Sequence, residues 1–236
     1  MFLKDYDIGM LEKQEIFTIM GGRVKMHRGI YNPTSDAVWL AAFVHGHPKT
    51  ALDAGIGTGG VALCIMAHHP NIKMTGIDIS TDMLNDCAKN VQLNNQEIEL
   101  INDDIMSWRT TRTFDLVVSN PPYFKGMPAK HNAHHNVNLV EWTKKCVART
   151  RPNGTFIIIV DAAATAEVLA PISAKCGNIE IMPLFSKKCT AERVLISGHV
   201  GTKKHTKLYS GINMNCDAIL RDGLTIEEYL AMLTKL

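Results

Sequence analysis

Residues 49–60 read KTALDAGIGTGG, a short apolar segment that runs into a loop rich in glycine. Glycine lets the backbone turn sharply and lets a ligand approach it closely. Residues 61–68 have the apolar composition of a helix, whose first turn would present free N–H groups to that ligand. Because Gly55, Gly57 and Gly60 also satisfy the pattern G-x-G-x-x-G, the loop predicts a nucleoside cofactor without saying which one.

Strand and helix patterns alternate from this loop onward. We predict strands at 49–54, 73–79, 97–101, 114–119 and 155–160, and helices at 61–68, 82–93 and 139–149. Continuous apolar runs such as 156–160 are typical of strands that are covered on both faces. The pattern therefore predicts a doubly wound, mostly parallel α/β sheet of the Rossmann-like type, with its ligand at the carboxyl ends of the strands.

The two ends of the chain complete this fold. Strands at 180–185 and 193–199 are expected to pair antiparallel at the sheet edge, and Thr225 with Glu228 forms a capping box that opens a last helix. Residues 1–45 are expected to be a small N-terminal extension that covers the substrate or cofactor and includes a helix near 35–44. Residues 46–236 would then form the main domain.

Asp78 is a second candidate for the cofactor site. It stands at the end of the strand that follows the first helix, where a carboxylate can accept hydrogen bonds from both hydroxyls of a ribose. A ribose occurs in nicotinamide dinucleotides and in other nucleoside cofactors. The glycine loop and Asp78 therefore leave the identity of the cofactor open, with a dinucleotide site as one candidate.

Residues 120–123 read Asn-Pro-Pro-Tyr and follow directly on a predicted strand. The residue before a proline favours extended backbone, and the two prolines remove N–H donors so that carbonyl oxygens are left to face the cleft. An amide oxygen beside a carbonyl oxygen suits a planar amino group, and Tyr123 supplies an aromatic face on which a nucleobase can stack. The motif therefore favours transfer to an exocyclic amino group.

These motifs resemble those of a known enzyme class. Residues 53–59 resemble motif I of class I S-adenosylmethionine-dependent methyltransferases, and residues 120–123 resemble motif IV of those that methylate an amino group in a planar system. Residues 28–31, 36–42 and 193–196 are similar to the bacterial tRNA1(Val) adenine-N6-methyltransferase family. The resemblance covers about residues 18–236. It departs from the commoner pattern at 32–35, where a glycine more often stands near the equivalent of Asp36.

The resemblance implies a class I methyltransferase fold, S-adenosylmethionine as cofactor, and N6-methylation of adenine-37 in tRNA1(Val) by a cytoplasmic enzyme. It implies that the cofactor is bound by Asp36, Asp53, Gly55, Gly57, Asp78, Ile79, Asp104 and Asn120. Asp103 is the alternative to its neighbour Asp104 as the residue that contacts the cofactor adenine. The catalytic residues implied are Asn120, Pro121, Pro122 and Tyr123.

Other acceptors fit the same tetrapeptide. Ribosomal-RNA guanine-N2 and protein glutamine-N5 methyltransferases also act on planar amino groups. The glutamine enzymes carry a helical domain before motif I, for which about fifty residues leave no room, and the guanine enzymes often duplicate the domain. A nicotinamide oxidoreductase and a catalytically inactive RNA-binding module remain as alternatives from different classes.

The distribution of charged residues suggests a polyanionic partner, and we expect that partner to be tRNA. The chain carries 25 Lys and Arg against 23 Asp and Glu, but residues 16–35 hold no acid and residues 186–207 hold one. These two basic stretches would form one RNA-facing surface if the fold brings them together; otherwise they are solvated loops. The net charge of the chain alone does not decide between a shared surface and separate loops.

Membrane and metal roles are not expected. No apolar run approaches the ~18 residues of a spanning helix. The six cysteines form no C-x-x-C pair, which is typical of reduced thiols rather than of a zinc site. His131, His134 and His135 lack a second cluster that would complete a metal site, so we interpret them as part of a loop over the substrate cleft. The sequence leaves the oligomeric state open.

Overall fold

The computed structural model describes residues 15–121, 138–186 and 190–234. It begins with a two-stranded hairpin, β1 (Ile16–Ile19) and β2 (Val24–His27), which precedes the main sheet. The strands of the main sheet are β3 (Thr50–Ala54), β4 (Lys73–Asp78), β5 (Ile98–Asn102), β6 (Phe114–Ser119), β7 (Thr150–Asp161), β8 (Cys176–Phe185), β9 (Arg193–Val200), β10 (Lys207–Leu208) and β11 (Ile212–Asn213). The helices are α1 (Ser35–Ala42), α2 (Gly60–His68), α3 (Thr81–Leu93), α4 (Leu139–Arg149), α5 (Thr165–Ser173), α6 (Asp217–Leu220) and α7 (Ile226–Leu233).

The main sheet is mostly parallel, as predicted. Its order is β10-β8-β9-β7-β6-β3-β4-β5, and β11 also pairs with β8. Strands β3 to β7 run parallel, while β9 lies antiparallel between β7 and β8. From β3 the chain builds outward through β4 and β5, then crosses back to place β6 and β7 on the other side of β3. This reversal creates a crevice between β3 and β6, where doubly wound sheets bind their ligands.

Most elements begin and end where the sequence predicts them. Strand β6 and helix α4 have the predicted bounds, and the hydroxyl oxygen of Ser80 caps α3 by accepting from the Met83 N–H. The capping box of Thr225 and Glu228 is present at the start of α7. Four features differ from the prediction. The hairpin of β1 and β2 was not expected, and β8 starts at Cys176 instead of residue 180. Strand β7 starts at Thr150 and includes the expected turn at 151–154 as an irregularity, and β10 and β11 extend the sheet beyond β8.

The segment before β3 packs into the core. Trp39 and Leu40 of α1 and Phe43, which follows the helix, are fully buried, and α1 packs against α2. A Cβ on Gly60 would lie 2.6 Å from the Cβ of Pro33, so the loop before α1 rests directly on the first residue of α2. The loop therefore lies beside the glycine-rich segment. The division into an extension at 1–45 and a main domain at 46–236 stays a prediction.

Among the described residues, no helix combines the length and the apolar character that crossing a membrane requires.

Candidate active site

The glycine loop and the Asn-Pro-Pro-Tyr motif leave the sheet side by side. Strands β3 and β6 are parallel neighbours, and Asp53 is paired with Val118. The residues that follow, Ala54 and Ser119, are therefore adjacent at the carboxyl edge of the sheet. Two motifs that lie more than sixty residues apart in sequence thus meet at the crevice.

Ser119 joins the two motifs through a buried hydrogen-bond chain. Its hydroxyl donates to the carbonyl oxygen of Ala54 at 2.8 Å, and the indole N–H of Trp142 donates to the Ser119 oxygen at 3.0 Å. The Trp142 ring also covers Gly55, where a Cβ would lie 3.3 Å from the ring. Gly55 has a φ of 78°, a conformation that favours glycine. Trp142 therefore holds the start of both motifs, a role that the sequence analysis did not assign to it.

Asp78 organises the glycine loop. Its carboxylate accepts from the Gly57 N–H at 2.9 Å through one oxygen and from the Ser80 N–H at 2.9 Å through the other. A carboxylate offers about four acceptor positions, so two remain for a ligand. A pair of ribose hydroxyls fits these remaining positions.

Asp53 is an unusual group in this site. It is 1% exposed, and its Oδ2 has no hydrogen-bond partner among the described residues. Burial, and to a smaller extent the nearby Asp78 carboxylate, raise its pKa to about 7, although a hydrogen bond from the Ala62 N–H acts in the opposite direction. A buried, unpartnered carboxylate oxygen beside the glycine loop fits a ligand that brings a positive charge or an N–H donor.

The residues after β4 and β5 form the next part of this edge. Asn102 donates to the carbonyl oxygens of Asp78 and Ile79 at 3.1 and 3.0 Å, and the Ile79 side chain is 69% exposed. Asp104 is half-buried and accepts from the Met106 N–H at 2.9 Å, whereas Asp103 is exposed. An exposed apolar side chain beside a carboxylate suits the face and edge of a purine. Which aspartate contacts the cofactor adenine stays a prediction.

Asp36 lies in a different environment from the other predicted cofactor residues. Its Oδ2 accepts from the Nε of Arg193 at 3.2 Å, and Nη1 of Arg193 lies 3.2 Å from Asp161. Arg193 opens β9 and Asp161 ends β7, so this three-residue ion-pair cluster lies at the same carboxyl edge, beyond β6. In the sequence, Arg193 belongs to a family pattern and to the second basic stretch, and neither indicates this contact. Its partnership with Asp36 spans 157 residues, and no local signal identifies it.

The catalytic motif itself is described in part. Asn120 is half-buried and Pro121 is buried at the end of β6. Pro122 and Tyr123 lie outside the described residues, as do His131, His134 and His135. Within the ranges that the structure describes, no group of three or more His, Cys, Asp or Glu side chains could hold a metal ion.

The second basic stretch, residues 186–207, has basic residues at both edges of the sheet. Arg193 begins β9 at the carboxyl edge, whereas Lys203 and Lys204 follow its other end, where the Lys204 carbonyl accepts from the Asn178 N–H. The eight residues of β9 separate these groups by roughly 25 Å. Of the basic residues of this stretch, Arg193 thus lies at the carboxyl edge and Lys203 and Lys204 at the opposite edge, while Lys187 and Lys188 lie outside the described residues.

Comparison with known proteins identifies the relatives of this chain. A family model described as "Methyltransferase small domain" matches residues 34–183. A tRNA1(Val) (adenine(37)-N6)-methyltransferase of Glaesserella parasuis is 31% identical over 139 residues, covering 54% of this chain and 59% of that protein. The equivalent protein of a Flavobacteriaceae bacterium is 28% identical over 178 residues, covering 73% and 71%. A putative protein N5-glutamine methyltransferase of Methanocaldococcus jannaschii is 31% identical over 109 residues, covering 46% and 54%.

Comparison with solved structures gives the same result for the fold. A putative class I S-adenosylmethionine-dependent methyltransferase of Listeria monocytogenes superposes with a TM-score of 0.59 at 15% identity, covering 88% of this chain and 72% of that one. The described geometry also fits such a cofactor, because the glycine loop, the unpartnered oxygen of Asp53 and the free acceptor positions of Asp78 lie together. The chain therefore belongs to the methyltransferase small domain family and is an S-adenosylmethionine-dependent methyltransferase of the class I fold.

Proposed function

We propose that this methyltransferase modifies N6 of an adenine in tRNA, and that its target is adenine-37 beside the anticodon of tRNA1(Val). The observation that carries the proposal is the hydrogen bond between Ser119 and Ala54, because it joins the residue before Asn120 to the residue before the glycine loop, where we propose that the cofactor binds. The similarity to two tRNA1(Val) (adenine(37)-N6)-methyltransferases supports the choice of acceptor. Such an enzyme would act in the cytoplasm, where tRNA is modified.

Three residues of the described site would hold the cofactor. The free Oδ2 of Asp53 would accept from the ammonium of the methionine end, the remaining acceptor positions of Asp78 would take the ribose hydroxyls, and the exposed Ile79 would pack on the adenine. S-adenosylmethionine supplies a methyl group that its sulfonium has already activated. The protein therefore contributes chiefly position and electrostatics.

The Asn-Pro-Pro-Tyr motif would prepare the acceptor. An adenine amino nitrogen is a poor nucleophile because its lone pair is shared with the ring. The side-chain oxygen of Asn120 and the carbonyl oxygen of Pro121 would each accept a hydrogen bond from one N–H of this amino group. These two contacts would turn the nitrogen towards tetrahedral geometry and aim its lone pair at the methyl carbon. Alignment of this kind contributes at most about 7–11 kcal/mol. We propose that Tyr123 stacks on the target adenine.

The transfer needs no strong base before the methyl group moves. The new carbon–nitrogen bond forms as the carbon–sulfur bond breaks, and the proton then leaves from a cationic nitrogen. A base in an RNA loop can be turned out of its stack at a cost of only a few kcal/mol. An adenine in an anticodon loop therefore meets the geometric demands of the site.

The proposal is tested by mass spectrometry of nucleosides. A transcript of tRNA1(Val) is incubated with the enzyme and S-adenosylmethionine, digested and analysed, with a transcript carrying guanine at position 37 as the matched control. We expect N6-methyladenosine in the first transcript and none in the second. N2-methylguanosine formed in ribosomal RNA, with unmodified tRNA, would contradict the proposal.

Glutamine-N5 methylation of a protein is the second candidate, because a putative enzyme of that kind from M. jannaschii is 31% identical to this chain over 109 residues. Its acceptor is also a planar amino group, so Asn120 and Pro121 would act in the same way. Transfer of labelled methyl to a protein fraction, resistant to ribonuclease and absent from purified tRNA, would favour it over the adenine reaction.

A further inference from the structure

An open cavity of about 890 Å³ lies away from the crevice, between the segment that follows β5 and the second half of α4. Its wall includes Trp108 and Arg109 from the segment, and Lys145 and Arg149 from the helix. The cavity thus combines three cationic side chains with one indole. The proposed methyl transfer uses none of these residues.

The positive charge in this cavity is not balanced. None of its described lining residues is acidic, and neither Arg109 nor Lys145 has an acidic partner in the described part of the chain. Lys145 and Arg149 are four residues apart on one helix, a spacing at which like charges destabilise the helix unless an anion lies between them. The adjacent Lys144 differs, because it pairs with Glu141 at 2.7 Å.

The arginine and the indole are held in place before any ligand binds. The guanidinium of Arg149 lies 5.6 Å from the centroid of the Trp108 ring and donates to the carbonyl oxygens of Trp108 and Thr110. Its Nε is buried and has no partner among the described residues. A fixed guanidinium loses little entropy when it binds a phosphate, which it matches in charge and geometry.

Both walls of the cavity are connected to the active site. Helix α4 carries Trp142, which contacts Gly55 and Ser119, and Arg149 lies seven residues, or roughly 10 Å, further along the same helix. The other wall is anchored by the backbone N–H of Trp108, which donates a hydrogen bond to the Asp104 carbonyl oxygen at 2.7 Å. A ligand in the cavity would therefore be held at a fixed offset from the reacting groups.

We infer that this cavity binds a phosphodiester of the RNA substrate at a nucleotide other than the target. The inference rests on the proposed RNA acceptor and adds a second contact to it. Phosphate contacts set the register of a nucleic acid on a protein, while the groups in the active site choose the base.

The test compares neighbouring lysines of α4. Binding of the tRNA1(Val) transcript is measured by fluorescence anisotropy over a range of salt concentrations for the wild type, Lys145→Gln, the double variant Arg109→Gln/Lys145→Gln, and the matched control Lys144→Gln. We expect the slope of log K against log salt to fall in magnitude by about 1 for Lys145→Gln and about 2 for the double variant, with weaker binding. Lys144→Gln should keep the wild-type slope, and all variants should keep the wild-type melting temperature and affinity for S-adenosylmethionine.

The outcomes separate this inference from the proposed function. If the wild type methylates the transcript and Lys145→Gln has the same slope as Lys144→Gln, the cavity is not an RNA site, although the adenine reaction stands. If the double variant loses methylation of a protein substrate while its RNA binding is unchanged, the cavity binds a protein and the inference is overturned. If the wild type neither binds nor methylates the transcript, the proposed function fails and the inference fails with it.

Discussion

The hydroxyl of Ser119 donates a hydrogen bond of 2.8 Å to the carbonyl oxygen of Ala54, and the same hydroxyl accepts from the indole of Trp142. Ser119 is fully buried, so these hydrogen bonds are shielded from water. It fixes the distance between the loop that would hold the methyl donor and the residue that would hold the acceptor. Methyl transfer depends on that distance because reacting atoms must be held close together and aligned.

Replacing Ser119 by alanine should therefore reduce turnover more than binding. We expect kcat to fall on the order of 10- to 100-fold, because small misplacements at this position separate the reacting groups. The free energy of unfolding should also fall by about 1–3 kcal/mol, since the Trp142 N–H is left buried without an acceptor. Steady-state kinetics on the tRNA transcript and urea unfolding measure the two effects.

Trp142→Phe is the matched control for this variant. It removes the indole donor but leaves the bond between Ser119 and Ala54 in place. Turnover should therefore fall less than in Ser119→Ala. Equal kcat values for Ser119→Ala and the wild type would show that the chain supports the fold and not the alignment.

Asn120→Ala should separate cofactor binding from transfer. The amide oxygen of Asn120 is one of the two acceptors proposed for the target amino group, and removal of one such oriented group costs about 10²- to 10³-fold in rate. We expect this loss in kcat while the Kd for S-adenosylmethionine, measured by calorimetry, changes by less than a few-fold. A comparable loss in both quantities would indicate that Asn120 holds the structure instead.

The ion pair between Asp36 and Arg193 is suited to a double-mutant cycle. The sequence resemblance implies that Asp36 binds the cofactor, whereas the structure places its carboxylate against Arg193. Both side chains are partly shielded from water, so we expect a coupling energy of about 1 kcal/mol in the free energy of unfolding for Asp36→Asn and Arg193→Gln.

Affinity for S-adenosylmethionine in the same variants tests the implied role of Asp36. If Asp36 also contacts the cofactor, Asp36→Asn weakens binding more than Arg193→Gln does. If both variants bind equally well, Asp36 acts through the ion pair alone.

Local sequence was sufficient to predict the centre of this molecule. Strand β6 and helix α4 were found with their bounds because a buried parallel strand is a continuous apolar run and an amphipathic helix has its own period. The hairpin β1–β2 was not found. Its strands have four residues each, and they are held to α3 by Asn90 and Asn94, whose side-chain oxygens accept from the N–H groups of His27 and Lys25.

The candidate site shows the same division. The glycine loop and Asn120 could be named as candidates because short motifs carry their chemistry in adjacent residues, and their roles stay predictions. The roles of Trp142 and Arg193 could not, because each depends on a partner that is distant in sequence and is brought near only by the sheet order. A single sequence contains no local signal for such partnerships.

The raised pKa of Asp53 predicts that this residue lowers the free energy of unfolding as the pH rises from about 4 to about 7. Burial and the charge of Asp78 raise that pKa to about 7, whereas in the unfolded chain it is about 3.9. Between these values the folded state keeps a proton that the unfolded state has released, so the contribution of Asp53 to the free energy of unfolding decreases as the pH rises. The full effect is on the order of a few kcal/mol and is complete above pH about 7.

The variant Asp53→Asn tests this prediction because its side chain does not ionise. Its free energy of unfolding relative to that of the wild type should increase from pH 5 to pH 8, as measured by urea unfolding without cofactor. The variant should also bind S-adenosylmethionine more weakly. Titrating groups that do not interact with Asp53 contribute equally to both proteins and cancel in the difference, so a difference that stays constant across this range would mean that Asp53 ionises normally in the folded state.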